Sequence, residues 1–500
     1  MVGVFLASVA VAAYVIRPWI AAPLAFDTAA SVLHFDRIVS GHYLERPLTT
    51  TPKPLLTLVY GLIYSATDDW RAISFAALGA WGLCVVLAAR LAWRLGGALA
   101  AAFLTTSLIV SSRLLLETSS ALGSVWALLL WTVAGLAVTA RPSRWALAGI
   151  ALGLAGLARL ETFLVIGLAL LVLAALSFAP GRWRRPVPGR AWLVSIGLLA
   201  LPLMSLHDIL LIGDPFFWTT VAASYSAAAE SAGRLPSVGS IVRQLDALVT
   251  AQLALSILVI TGAAILAARA RWAVLVGLLA LGPGVAAFLL FLAARHTFVD
   301  ARYFVPISVA MIFAAAIGVS GLRAPLAWLL GVLKTRSWYA VPARSAVLTA
   351  VMAVVVTEIA IVLSPNIAPL DRATRAKINS ARHLARTADL AVPEIREALL
   401  EAKMAGSTLQ VTVPVPLRPR VAVELDVPLT QVGSYADPRV WLAAGPTPGH
   451  LILIDLDPSA TARTPAAFRL SAPATVGGVR LVPLLSDPDD GAWLLQVAAP

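Results

Sequence analysis

Charge is what this 500-residue chain has least of: Asp, Glu, Lys and Arg together make up 13% of it, about half the share that soluble proteins carry. A water-facing surface cannot be covered with so few charges, so a string of soluble domains is excluded. Cysteine is nearly absent as well. Cys84, the single one, lies inside an apolar stretch, which rules out an intrachain disulfide and a cysteine-built tetrahedral zinc site. A cysteine so placed behaves as a small hydrophobe. There is no heptad, tandem repeat, Gly-X-Y period or low-complexity tract, so coiled coil, solenoid and collagen fall away too. What fills the chain is apolar side chains: 59% of residues, with a mean hydropathy of +0.86. That is the composition of a polytopic membrane protein.

A bilayer core asks for about 20 apolar residues per helix, fewer where Gly and Ala pack closely. Eleven candidate spans meet this, at 3–22, 72–90, 95–111, 119–139, 145–158, 162–179, 191–212, 248–268, 272–294, 303–322 and 345–364. The run 54–67 (PLLTLVYGLIYSAT) is too short and begins with Pro54; it reads as a helix lying at the interface. The first 25 residues read as a span rather than a cleaved signal, because MVGVF has no basic residue.

The net charge of +12 would suit a nucleic-acid binder, but its distribution does not. Fourteen Lys and Arg, from Arg90 to Arg344, sit in five loops that contain no Asp or Glu. The positive-inside rule makes those loops cytoplasmic, and they alternate with the others only if 54–67 does not cross. Residues 366–500 hold 13 basic and 13 acidic residues, so the whole excess belongs to the first 365. The expected layout is a transmembrane domain over 1–365 with a cytoplasmic N-terminus, in the plasma or inner membrane. A small extracytoplasmic α+β domain over 366–500 follows. In it, 370–405 reads as charged helix broken at Pro393, and LQVTVPV, RVAVELDV, HLILIDLD and VRLVPLL read as strands. All 13 carboxylates of the membrane part fall in outer loops or toward the outer ends of spans, so chemistry belongs on that face.

The first outer loop, 25–56, is long and polar. Asp27 before Thr-Ala-Ala-Ser reads as a helix N-cap, with the helix running to Ser40 and stopping at Gly41. Asp27 either caps that helix or serves as a general base at the membrane surface. At 100° per residue Asp36 lies half a turn from Asp27, so the two cannot act as one acid–base pair; Asp36 is placed for a local ion pair with Arg37. His34, seven residues on, shares the face of Asp27 and could orient a substrate or make an interfacial hydrogen bond. Lys53 stands between two prolines that hold the backbone extended, and suits either a phosphate or lipid headgroups.

Three outer turns carry charge at a depth where ionised groups must be paired or wet. SRLLLET holds Arg113 and Glu117, and ARLET holds Arg159 and Glu161; both pairs read equally as structural ion pairs or as substrate contacts. RHTFVDARY crowds Arg295, His296, Asp300, Arg302 and Tyr303 into nine residues, more than pairing requires, and an arginine there could grip a phosphate by two hydrogen bonds. The outer loop 208–247, with GDPFFW, reads as a lid lying on the interface. His296 and Asp300 form only a sparse i, i+4 pair, so no metal centre is expected.

The acidic residue just after span one, the later Lys-Pro, the short interfacial helix and the Trp70-Arg71 entry into the next span together resemble the GT-C superfamily of membrane glycosyltransferases. The resemblance covers about residues 1–320 and is nearest the branch with the protein O-mannosyltransferases and bacterial aminoarabinose transferases. It implies that Asp27 is the catalytic aspartate, although Thr28 replaces an acidic residue that often follows. It also implies that Lys53 contacts a lipid-linked phosphate, that Glu117 is a second carboxylate, and that Arg302 and Tyr303 meet the donor phosphate. His34, Arg159, Glu161 and His296 complete the candidate substrate contacts. The expected reaction is inverting transfer of a sugar from a polyprenyl-phosphate donor to a hydroxyl of a glycan, lipid or protein, without a cofactor and with no nucleic-acid partner. The rival reading is a transporter or lipid flippase, which Glu358 inside the last span would serve.

Overall fold

The computed structural model describes residues 26–44, 51–178, 189–221, 237–322, 372–404, 409–435, 441–455 and 470–498, with short interruptions. The expected spans 3–22 and 345–364, and Glu358 with them, lie outside the described residues.

The chain is mostly helical. Helix α1 (Phe26–Ser40) ends where Gly41 takes a left-handed turn (φ +70°), as the sequence suggested. Asp27 stands inside its first turn rather than before it. Helix α2 (Pro54–Thr67) starts at Pro54, whose fixed φ suits the first helical position. Further helices follow as α3 (Trp70–Gly96), α4 (Ala98–Val110), α5 (Gly123–Val138), α6 (Trp145–Ala158), α7 (Glu161–Phe178) and α8 (Ala191–Ile212). After them come α9 (Val238–Thr250), α10 (Leu253–Ala268), α11 (Trp272–Ala294) and α12 (Val305–Val319). Of these, α3, α8 and α11 are long and apolar enough to cross a membrane. The other six expected spans among the described residues fall on helices of 13–18 residues, shorter than the about 20 that a bilayer core asks for. The expected span 248–268 is divided: α9, an amphipathic helix, occupies what was read as the end of the outer loop, and α10 begins only at Leu253.

Small residues bring these helices together. A methyl group on Gly262 of α10 would collide with the Ala314 carbonyl of α12, and one on Gly318 with the Leu258 carbonyl. The two backbones therefore touch, the packing that small residues permit between membrane helices. On α2, Gly61 receives the Phe35 ring of α1, which lets the two helices lie against each other and brings their N-terminal ends to one place.

The C-terminal part holds helix α13 (Arg372–Met404), helix α14 (Arg418–Leu425) and a six-stranded sheet. The strands are β1 (Val411–Pro414), β2 (Val432–Tyr435), β3 (Leu451–Asp455), β4 (Ala474–Val476), β5 (Val479–Asp487) and β6 (Ala492–Val497), in the order β2-β1-β3-β6-β5-β4. β1 pairs in parallel with β2 and β3; the remaining pairs are antiparallel. Two expectations are corrected. Pro393 does not break α13, because Ala388, Ala391, Val392 and Ile395 around it are buried in the core and hold the helix through the lost hydrogen bond. RVAVELDV is not a strand but α14: Pro419 opens it, Arg420 and Glu424 pair at 2.6 Å one turn apart, and Asp426 closes it with φ +51°.

This part packs directly on α1 and α8. Ala30 and Leu33 of α1 and Leu211 of α8 share one hydrophobic core with Ile395, Val411, Val421 and Leu453. Arg37 donates to the Val427 carbonyl at 2.9 Å, while its distance to Asp36 is 3.9 Å, so the expected local ion pair is secondary. Trp70 donates its indole N–H to Glu424 at 2.6 Å and lies under the Arg420 guanidinium.

Candidate active site

Asp27 and Lys53, 26 residues apart in sequence, meet at 3.1 Å. Asp27 comes from the first turn of α1, and Lys53 is the residue at the N-terminal edge of α2, held between Pro52 and Pro54. Both side chains are mostly buried, at 12% and 15% exposure, so the pair is little screened by solvent. Lys53 also donates to the Thr51 carbonyl at 3.3 Å.

A turn before α5 locks this corner. The Ala121 carbonyl accepts the Tyr60 hydroxyl at 2.8 Å and the Thr28 hydroxyl at 3.1 Å, and Thr28 also reaches the Ser120 carbonyl at 3.0 Å. Trp126 in turn donates to Tyr60 at 2.7 Å. Ala121 takes φ +50°, a conformation a non-glycine residue holds only when its surroundings impose it. The departure at Thr28 now has a physical reason. A carboxylate at that fully buried position would face two carbonyl oxygens, whereas a hydroxyl donates to them.

The same turn delivers Glu117. Its carboxylate accepts the Ser124 hydroxyl at 2.7 Å, and Arg159 donates to that same Ser124 oxygen at 2.5 Å. Arg159 grips Glu161 with two further bonds, at 2.7 and 3.3 Å. Glu117, Ser124, Arg159 and Glu161 thus form one buried chain of alternating charge. Lys53 is near enough to act electrostatically on Glu161, which joins this chain to the Asp27–Lys53 pair. Tyr303 comes in from the 301–304 turn with its ring 6.0 Å from the Arg159 guanidinium.

His34 lies on the same side of α1 as Asp27, buried, with the charges of both Lys53 and Asp27 reaching it. Burial, then the neighbouring His207 and Lys53, hold its pKa down to about 3. Asp36 stands on the opposite side, 46% exposed, as helix periodicity required. The Arg302 backbone is in the turn with Tyr303, but its side chain, like His296, Asp300 and Arg113, lies outside the described residues. Among the described residues no three His, Cys, Asp or Glu side chains form a metal-binding group. Sequence reasoning passed over Ser124, Thr57, Tyr60, His207 and Asp208. For the last two a signal existed: adjacent ionisable residues inside the apolar run LPLMSLHDILLI.

No protein-family model matches the chain, and no curated protein does. Solved structures do. The crystal structure of ArnT from Cupriavidus metallidurans bound to undecaprenyl phosphate matches over 100% of this chain and 99% of its own, with 15% identity and a TM-score of 0.54. The apo state of the same protein matches over the same shares, with 16% identity and a TM-score of 0.54. This chain shares the fold of that protein over its full length. An oligosaccharyltransferase from Archaeoglobus fulgidus is a more distant likeness, at 14% identity and a TM-score of 0.49 over 87% of this chain and 62% of that one. In this fold the Asp27–Lys53 pair of α1 and α2 stands beside the turns before α5 and α7.

Proposed function

We propose that the protein is an integral membrane glycosyltransferase that moves a sugar from a polyprenyl-phosphate donor to an acceptor hydroxyl on the outer face of the membrane. The observation that carries this reading is the Asp27–Lys53 pair. A carboxylate fit to accept a proton and a cation fit to hold a phosphate stand 3.1 Å apart in a largely dry corner. Lys53 stands against the Asp27 carboxylate as its counter-charge. The full-length likeness to a protein crystallised with undecaprenyl phosphate supports a lipid-linked donor.

In this reading the donor enters sideways from the bilayer and sets its phosphate on Lys53, with Arg302 as the second cation. Asp27 accepts the proton of the acceptor hydroxyl as its oxygen attacks the anomeric carbon from the side opposite the phosphate. The bond from that carbon to the phosphate oxygen breaks, and the configuration inverts. Lys53 stabilises the negative charge that grows on the leaving polyprenyl phosphate. A phosphate leaves without a proton, so one base suffices and no cofactor or divalent metal is called upon. The Glu117–Ser124–Arg159–Glu161 chain orients the acceptor side of the site, and Tyr303 bounds it. The C-terminal part, sharing its core with α1, sits over the same face. Residues 1–365 form the catalytic part and 366–500 the outer domain, with the basic loops in the cytoplasm.

Deletion of the gene, followed by mass spectrometry of lipids and envelope glycans, tests the function. The expected result is accumulation of one polyprenyl-phosphate sugar and loss of one sugar from one envelope component. Unchanged lipids and glycans contradict it.

A further inference from the structure

Next to the Asp27–Lys53 pair is a second polar cluster that the transfer step does not use. His34 is 2% exposed, and neither of its ring nitrogens has a hydrogen-bond partner among the described residues. Its ring meets that of His207 edge-on, with centroids 6.1 Å apart. His207, by contrast, is fully engaged: Nδ1 lies 3.1 Å from the Asp208 carboxylate and Nε2 3.3 Å from the Thr57 hydroxyl. Asp208 is completely buried, and its other oxygen accepts the Trp218 backbone N–H at 2.8 Å. A carboxylate beside Nδ1 places the proton there, so Nε2 accepts from Thr57. Thr57 is one turn along from Lys53 and donates its N–H to the Lys53 carbonyl at 2.9 Å. The Asp208–His207–Thr57 chain therefore fixes both the ring that walls His34 and the turn that presents Lys53.

An imidazole buried with both nitrogens bare destabilises the fold. Its chemistry defines what would complete it. A neutral imidazole offers one donor and one acceptor, and so does a hydroxyl. A phosphate offers acceptors only, and an ammonium donors only. The low pKa of His34 keeps the ring neutral at physiological pH, the Asp27 carboxylate that reaches it is paired with Lys53, and the Asp208 carboxylate is engaged by His207 and Trp218. The cluster thus has little to offer a charged group.

We infer that His34 hydrogen-bonds a hydroxyl of the donor sugar and makes the site prefer an uncharged sugar to an amino sugar, with Asp208, His207 and Thr57 as positioning residues. This rests on the polyprenyl-phosphate reading: with the phosphate on Lys53, the attached sugar reaches the neighbouring His34.

The test uses the full-length protein in lipid nanodiscs. Probes are undecaprenyl phosphate alone and its glucose, mannose, arabinose and aminoarabinose conjugates, with affinity and melting temperature as readouts. Wild type is expected to bind one neutral conjugate about tenfold more tightly than undecaprenyl phosphate alone, and more tightly than the aminoarabinose conjugate. His34→Leu should erase that preference, keep the affinity for undecaprenyl phosphate, and melt at the same temperature or higher, because leucine removes two unmet buried nitrogens. His34→Gln, which keeps a donor and an acceptor, should recover part of the preference. Asp208→Asn, which loosens the ring that walls His34, should weaken it as well. The inference is overturned if His34→Leu keeps the wild-type preference or melts several degrees lower, as a structural histidine would. It is also overturned if wild type shows no preference among the conjugates or favours the aminoarabinose one. If wild type does not bind undecaprenyl phosphate at all, the donor reading itself fails, and this inference with it.

Discussion

Arg159→Met keeps an unbranched apolar stem and deletes the guanidinium that ties Ser124, and through it Glu117, to Glu161. Three hydrogen bonds disappear, two to Glu161 and one to Ser124. Arg159 and Glu161 are 9% and 11% exposed, so water cannot replace what is lost and the surface-pair discount does not apply. Removing one partner of such a buried pair costs about 3–5 kcal/mol, because the remaining carboxylate is left buried without its counter-charge. At about 2–4 °C per kcal/mol for a large domain, the melting temperature should fall by roughly 6 °C or more. Intrinsic tryptophan fluorescence during heating of the purified protein measures this. Adding Glu161→Gln should restore a good part of the loss, since the stranded charge is then gone. If Arg159→Met melts within about 1 °C of wild type, the buried charge chain is not the support described here.

Lys53→Met should raise the KM for the lipid donor by about 10–100-fold, the worth of a charge-assisted hydrogen bond of 1.5–3 kcal/mol. An unchanged KM would remove Lys53 from the phosphate site. The His34 pKa also gives stability a pH dependence of known sign. Unfolded, the ring takes a proton near pH 6.5; folded, it does so only near pH 3. The unfolded state therefore binds the proton first, and this ring's contribution is whole above pH 6.5 and declines as the pH falls toward 3, at up to about 1.4 kcal/mol per pH unit. Melting temperatures between pH 7.5 and 4.5 should consequently fall less steeply for His34→Leu than for wild type; parallel curves would contradict the buried neutral ring.

Legibility in the sequence followed the range of the interactions involved. The end of α1 at Gly41, the start of α2 at Pro54 and the opposite facing of Asp27 and Asp36 depend on neighbours within a few residues, and all are present. The resemblance implied separate roles for Asp27 and Lys53 and did not pair them; their meeting depends on the Phe35–Gly61 contact, which no local pattern announces. Glu117 illustrates the limit. Its observed partner is Ser124, and the link onward to Arg159 joins two turns 35 residues apart. Thr28 appeared only as a departure from a motif until the carbonyls of Ser120 and Ala121 showed what its hydroxyl does. In the C-terminal part, RVAVELDV alternates like a strand, yet Pro419 and the Arg420–Glu424 pair favour a helical turn that docks on Trp70. The division of 248–268 into two helices has a similar cause: hydropathy averages over a window and does not see where one axis ends.

The most direct test of the central claim is sugar transfer by Asp27→Asn, assayed in nanodiscs with the polyprenyl-phosphate sugar that accumulates in the deletion strain. Asparagine keeps the shape of the side chain and cannot accept the acceptor's proton. The account predicts no measurable transfer while the variant still folds and still binds undecaprenyl phosphate. Transfer at close to the wild-type rate would contradict it.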